Sequence, residues 1–257
     1  MTARVYIVGA GPGDPELLTQ KAARLLRAAD VVLHDALVGA EVLWLARQAR
    51  LVNVGKRAHR PSTAQRFINR MLVTAARRHA CVVRLKGGDP ALFGRLDEEV
   101  TALRAAGIAF EIVPGVTAAC AAAASLQASL TQRGVARGVR FVTLRQAQGT
   151  PQAQDTPQAS DGSTDTLAIY MAGHQVADTA QRLIDAGRCR ATPLVVIEAA
   201  STPQQRHWAG TLGNAAALAR AHAREGGDGP MLLLLGDVLA HVSGEVVGAR
   251  DTGRAVA

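Results

Sequence analysis

Short apolar runs alternate with amphipathic stretches along most of this chain. Residues 5–8, 31–33, 51–54, 81–85 and 108–113 are compact apolar runs of strand length, each followed by glycine, proline or charged residues. Between them, Leu18, Ala22, Leu25, Leu26 and Ala29 recur at helical spacing, and Phe67, Ile68, Met71, Leu72 and Ala75 fall on one face of a second helix. Leu92, Leu96, Val100 and Leu103 mark a third, opened by Asp89-Pro90, and a small-residue helix begins at 114–117. Strands alternating with helices through short loops predict an α/β layer structure with mostly parallel sheets and helices on both sides. The alternation resumes with strands at 139–144, 167–171, 193–197, 205–209 and 231–235, and with helices ending near 187 and spanning 212–223. It breaks at 146–165, where T-P-Q-A-Q-D is followed directly by T-P-Q-A-S-D. A tandem polar hexapeptide rich in proline cannot bury a core, so a loop is expected there, and a frayed tail is expected from 249.

The turn after the 81–85 run concentrates the chemistry. V-V-R-L-K-G-G-D-P-A-L-F-G-R carries an apolar strand into Gly87-Gly88, where no side chain blocks the backbone, and then into Asp89-Pro90. Aspartate accepts hydrogen bonds from the unpaired N–H groups of a first helical turn, and proline fits the position after it. Such a strand, turn and start can bring bare backbone up to a small ligand; taken alone it also fits a plain connection. Gly13-Asp14-Pro15 repeats the device after the first strand. Gly9 and Gly11 fit the start of a dinucleotide fingerprint, but Asp14 occupies its third glycine position, so a Rossmann reading is rejected.

Composition narrows the partners. With 48% apolar residues the chain can bury a full core. Its three cysteines, Cys81, Cys120 and Cys189, form no C-x-x-C pair, and its histidines show no ligand spacing, so neither a disulfide framework nor a metal site is expected. Neither a signal peptide nor a membrane span is visible, which points to a soluble cytoplasmic protein without membrane partners. The net charge of +8 comes mostly from arginine, for only Lys21, Lys56 and Lys86 are lysines. That balance suits an anionic partner. Aromatic residues make up 3% and the arginines are scattered, so a small polycarboxylate is favoured over nucleic acid.

Several motifs, in order, resemble the tetrapyrrole methylase family, most closely its uroporphyrinogen-III C-methyltransferase branch. They are V-Y-I-V-G-A-G-P-G-D-P-E-L-L-T (5–19), H-D-A-L-V (34–38), V-G-K-R-A (54–58), R-L-K-G-G-D-P-A-L-F-G-R (84–95), P-G-V-T-A-A (114–119), I-Y-M (169–171), Q-R (205–206) and G-T-L (210–212). Each motif alone is weak; their order and spacing are specific, and they cover nearly all of the chain outside 146–165. The resemblance implies two α/β domains, here 1–136 and 137–248, with S-adenosylmethionine (SAM) in a cleft between them and usually a homodimer. It implies methylation of uroporphyrinogen III to precorrin-2, with S-adenosylhomocysteine as the other product. Another corrin-ring methylase, or a protein that binds SAM without turnover, stays open beside it.

Carried over position by position, the resemblance implies SAM contacts at Pro12, Gly87, Gly88, Asp89, Leu92, Thr117, Ala118, Met171 and Ala200. It implies Asp35 as proton acceptor and Lys56 as proton donor. The residue types suit the reaction. Methyl transfer from a sulfonium is an in-line displacement, in which positioning does much of the catalysis. A carboxylate can stabilise the cationic ring that forms and take the departing proton. Arginines can grip a substrate rimmed with carboxylates. Ala36 stands where the family carries an arginine, and Ala172 and Ala200 stand where it carries glycine. At a positive φ, either of those two alanines would be strained by about 1–2 kcal/mol.

Overall fold

The computed structural model describes residues 4–55, 65–144, 164–173 and 175–242. The chain forms two compact units, Met1–Thr117 and Ala118–Ala257. Lys56, nearly all of the 146–165 stretch and the tail from 249 lie outside the described residues.

The first unit holds strands β1 (Arg4–Gly9), β2 (Val31–His34), β3 (Arg50–Asn53), β4 (Cys81–Lys86) and β5 (Ala109–Val113), with helices α1 (Gln20–Ala28), α2 (Ala40–Trp44), α3 (Gln65–Ala76) and α4 (Leu96–Ala105). The strands are ordered β3-β2-β4-β1-β5 and every pair is parallel. Val8, Val32, Val83 and Leu85 pack with Leu25, Leu26 and Val42 on one face of the sheet. Val5, Ile7, Leu33 and Val82 pack with Leu72, Val100 and Leu103 on the other. Strands covered on both faces read as continuous apolar runs, as these do. The crossover after β1 returns through α1 on the first face, and the one after β4 returns through α4 on the second. The loops leaving these neighbouring strands therefore part to opposite faces, which is where open α/β sheets form ligand crevices.

Two local expectations are corrected. The helix after β4 begins at Leu96, not at Asp89. Residues 89–95 instead form a tight turn with Phe93 and Arg95 in the left-handed region, wrapped so closely that a Cβ on Gly94 would stand 2.5 Å from the Pro90 carbonyl oxygen. In α3 the buried face is Gln65, Ile68, Leu72 and Ala76, while Phe67 and Met71 are exposed.

The second unit holds α5 (Ala118–Ser125), β6 (Val139–Thr143), β7 (Thr166–Tyr170), α6 (Val176–Asp185), β8 (Pro193–Glu198), β9 (Arg206–Thr211), α7 (Ala215–Glu225) and β10 (Met231–Leu235). Its order is β6-β7-β10-β8-β9. Only β6 and β7 pair in parallel; β10 runs antiparallel to both neighbours, and β8 is antiparallel to β9. Parallel pairing thus describes the first sheet, and the second is mixed. Only seven residues join β8 to β9, too few for the crossover that parallel strands require. Leu167, Ile169, Leu183, Val196 and Leu233 pack on one side of this sheet, and Ala168, Val195, Ile197, Leu232 and Leu234 on the other. No helix among the described residues is long and apolar enough to cross a membrane.

Candidate functional site

Three loops meet at the carboxyl ends of β1, β4 and β5, and glycine lets them meet. A Cβ on Gly9 would stand 2.7 Å from both Gly115 Cα and the Gly88 carbonyl oxygen; one on Gly115 would stand 2.3 Å from that same oxygen. Real side chains do not occupy such distances, so only hydrogen fits here. Gly11 and Gly88 pair through two backbone bonds, of 3.2 Å to the Gly88 oxygen and 2.8 Å to the Gly11 oxygen. Asp89 closes the arrangement. Its Oδ1 accepts from the Ala91 N–H at 2.8 Å, and its Oδ2 accepts from the Gly115 N–H at 2.9 Å. Asp14 repeats the local half of this, accepting from the Glu16 N–H at 2.8 Å and capping a short 3₁₀ turn. Pro12, Gly88, Asp89, Leu92 and Thr117 are half-buried around this junction and Gly87 is exposed. The unit therefore brings together six of the residues that the resemblance assigns to SAM. Asp89 ties loops as well as lining them.

Asp35 follows β2 directly, and its environment was not visible in the sequence. Its Oδ1 accepts from Arg84 Nη2 at 2.5 Å. Arg84 sits in the middle of β4, opposite Leu33 of β2. Its Nε donates to Glu99 Oε1 at 2.9 Å, and its Nη1 donates to the Leu85 and Leu33 carbonyls at 3.0 and 3.4 Å. Lys86 Nζ donates to the same Glu99 oxygen at 3.0 Å, and Gln65 Nε2 at 3.3 Å. Two acids and two bases thus form an alternating chain, Asp35–Arg84–Glu99–Lys86, three of whose members are buried. The available sign in the sequence was an arginine inside an apolar run, with the glutamate that pairs with it 15 residues on. Gly55 also belongs to this neighbourhood: a Cβ on it would stand 2.0 Å from the Ala36 nitrogen, so its backbone lies against the Asp35–Ala36 peptide.

Burial and the charge of Arg84 push the Lys86 pKa down, against the pull of Glu99 and Asp35. For Arg84 burial is the largest single influence and lowers the pKa, but Asp35 and Glu99 together outweigh it and raise it. The sign for stability follows. Between the lowered pKa of Lys86 and the ordinary lysine value of about 10.4, the unfolded chain binds a proton that the folded chain has released. Stability contributed at this site therefore rises with pH through that window. In Lys86→Met this alkaline gain is absent, and the plot of unfolding free energy against pH, from urea titrations, is flatter than for the parent chain. Superimposable slopes would refute the assignment.

The second unit presents Met171 and Ala200 just beyond β7 and β8, the strands flanking β10. Because β10 is antiparallel to both, these ends share one edge of the sheet. Met171 is exposed and has φ of 56°. Ala200 is buried against the cluster that includes Ala119, Ala122 and Ile197. Neither Ala172 nor Ala200 has positive φ, so the strain considered for them is not present. Left-handed backbone falls instead on their neighbours Met171, Ala199 and Ser201. Ala118 opens α5, and the next N–H, that of Ala119, donates to the Tyr170 hydroxyl at 3.1 Å. That bond fixes the first turn of α5 to the end of β7.

Similarity to known proteins agrees with this arrangement. The sequence model of the Tetrapyrrole (Corrin/Porphyrin) Methylases matches residues 4–216, and the chain belongs to that family. It is 47% identical over 235 residues to the siroheme synthase of Psychrobacter sp. (strain PRwf-1), which covers 91% of this chain and 47% of that protein. The chain spans about half the length of the curated relatives it matches. It also resembles the crystal structure of uroporphyrin-III C-methyl transferase from Thermus thermophilus complexed with S-adenyl homocysteine. There the TM-score is 0.78 and the identity 41%, over 93% of this chain and 99% of that one. A cobalt precorrin-4 methyltransferase gives a TM-score of 0.79 at 29% identity, over 92% and 95% of the two chains.

Proposed function

We propose that this chain transfers methyl groups from SAM to carbon atoms of uroporphyrinogen III, forming precorrin-2 on the route to sirohaem or cobalamin. The observation that carries this reading is the glycine junction of β1, β4 and β5. It offers a ligand bare backbone at a sheet's carboxyl edge, with Gly9 and Gly115 required by contact and Gly11 and Gly88 by their positive φ. A cofactor that docks on main chain fits such a cradle, and Pro12, Gly87, Gly88, Asp89, Leu92, Thr117, Ala118, Met171 and Ala200 are the residues assigned to hold it. SAM, when bound, supplies an electrophilic methyl sulfonium.

The residues of the chain supply the rest. Asp35 stabilises the positive charge that forms on the ring as the methyl–carbon bond is made, and accepts the proton that then leaves the macrocycle to restore neutrality. Lys56 is assigned as proton donor. Arginines grip the propionate and acetate groups, each guanidinium matching a carboxylate with two parallel bonds. The protein is expected to act in the cytoplasm as a homodimer, on a polycarboxylate tetrapyrrole, with neither nucleic acid nor membrane as partner.

Two measurements test the reading. Titration calorimetry with S-adenosylhomocysteine gives a Kd at or below about 100 µM, roughly −5.5 kcal/mol. Incubation with SAM and uroporphyrinogen III gives a product whose mass corresponds to precorrin-2. Methylation of a different corrin intermediate would move the substrate assignment, and binding without turnover would leave a SAM-binding protein.

A further inference from the structure

We propose that Arg84 is a positioning residue for Asp35, held in place by Glu99, so that the buried ion chain sets the orientation of the proton acceptor. The proposal rests on the reading of Asp35 just given.

An arginine in the interior strand of a five-stranded sheet is costly to place, since its charge leaves water. Arg84 is 2% exposed and is fixed on two sides. Glu99, itself 0% exposed, takes its Nε, and two strand carbonyls take its Nη1. A guanidinium is planar and its donors keep a rigid fork, so anchoring Nε and Nη1 also settles where Nη2 points. It points to Asp35 Oδ1, at 2.5 Å. The Asp35 side chain is 32% exposed, and its other oxygen has no hydrogen-bond partner among the described residues. One oxygen is thus committed to a buried cation, and the other is left for a proton.

The hub is also arranged for rigidity. Glu99 Oε1 receives Arg84, Lys86 and Gln65 together, while its Oε2 has no hydrogen-bond partner among the described residues. Gly94 lets the β4–α4 turn close over the Lys86 stem, for a Cβ there would stand 3.0 Å from Lys86 Cε. The same turn leads back to the glycine junction through Asp89, so the loops and the acceptor are built on one buried frame. A plain core ion pair would serve only to join β2, β4 and α4. A positioning role predicts more, namely that losses made at Arg84 or Glu99 pass through Asp35.

A mutant cycle on the full chain separates the two, with turnover of uroporphyrinogen III read by product mass over long incubations. Arg84→Lys keeps the charge and removes the fork. Its kcat falls by about 10–100-fold with KM and the Kd for S-adenosylhomocysteine nearly unchanged, the pattern of misplacement without lost binding. In the Asp35→Asn background the same substitution costs nothing further, because coupled residues are not additive. Glu99→Gln, close in shape to the parent, repeats the pattern and decides the matter if Arg84→Lys does not fold. Losses that multiply with that of Asp35→Asn overturn the positioning role of Arg84. Full turnover by Asp35→Asn alone overturns the proton-acceptor reading instead, so the two failures are distinguishable.

Discussion

Asp35→Asn lowers kcat on uroporphyrinogen III by about 10²–10⁴-fold, the range that a general base supplies. The substitution is close to isosteric, and its amide oxygen can still accept from Arg84. The side chain therefore keeps its place while losing its capacity to take a proton. Affinity for S-adenosylhomocysteine is unchanged, because Asp35 stands at the end of β2 and the three loops that meet through glycine follow β1, β4 and β5. Steady-state turnover with calorimetry on the same preparation checks both halves. A variant that loses turnover and cofactor affinity together would indicate local collapse and not lost chemistry.

Gly115→Ala has the second large effect, and it acts through folding. The added methyl would lie 2.3 Å from the Gly88 oxygen and 2.9 Å from Gly9 Cα, both backbone atoms that cannot swing aside. Overpacking of this kind costs about 1–3 kcal/mol or more. The loop can relieve it only by moving Gly115 away from Asp89, which breaks the bond between them. Urea unfolding thus shows lower stability, and affinity for S-adenosylhomocysteine falls with it. Gly87→Ala is the informative contrast. Its Cβ meets nothing closer than Leu37 Cβ at 3.9 Å, and its φ is not positive. Stability stays within about 0.5 kcal/mol, as for ordinary surface changes. Any loss of affinity at Gly87 then reports on the approach of a ligand to bare backbone.

The fold was largely legible because buried strands declare themselves as apolar runs. The central strands of the first unit, β1, β2 and β4, were visible in that way, and so was the glycine turn after β4. β3 and β5 also read as apolar runs, although they lie at the sheet's more exposed edges. What escaped was what local pattern does not encode. Asp89-Pro90 carries a good helix-start signal, yet the chain spends it on a turn, since Asp89 is needed by a loop 26 residues away. The face of α3 was misjudged because Phe67 and Met71 are apolar but exposed. Arg84 and Glu99 were missed for a related reason. Each is unremarkable in its own segment, and their meaning lies in a pairing across 15 residues of chain inside the core. Alanines replacing glycines suggested strain at 172 and 200, whereas the left-handed turns lie one residue to either side.

The order of strands in the second sheet bears on how the chain is made. β7 and β8 never touch each other; β10, the last in sequence of the described strands, lies between them. Until Met231–Leu235 emerges from the ribosome, β6-β7 and β8-β9 are separate two-stranded ribbons with open apolar edges, and such ribbons are marginal alone. The first sheet is complete once β5 has formed, more than a hundred residues earlier. Synthesis thus yields a finished amino-terminal unit while the other still waits for its central strand. A chain cut short just before residue 231 would lose the middle of a sheet, not its margin, and would be left for chaperones and proteases to clear.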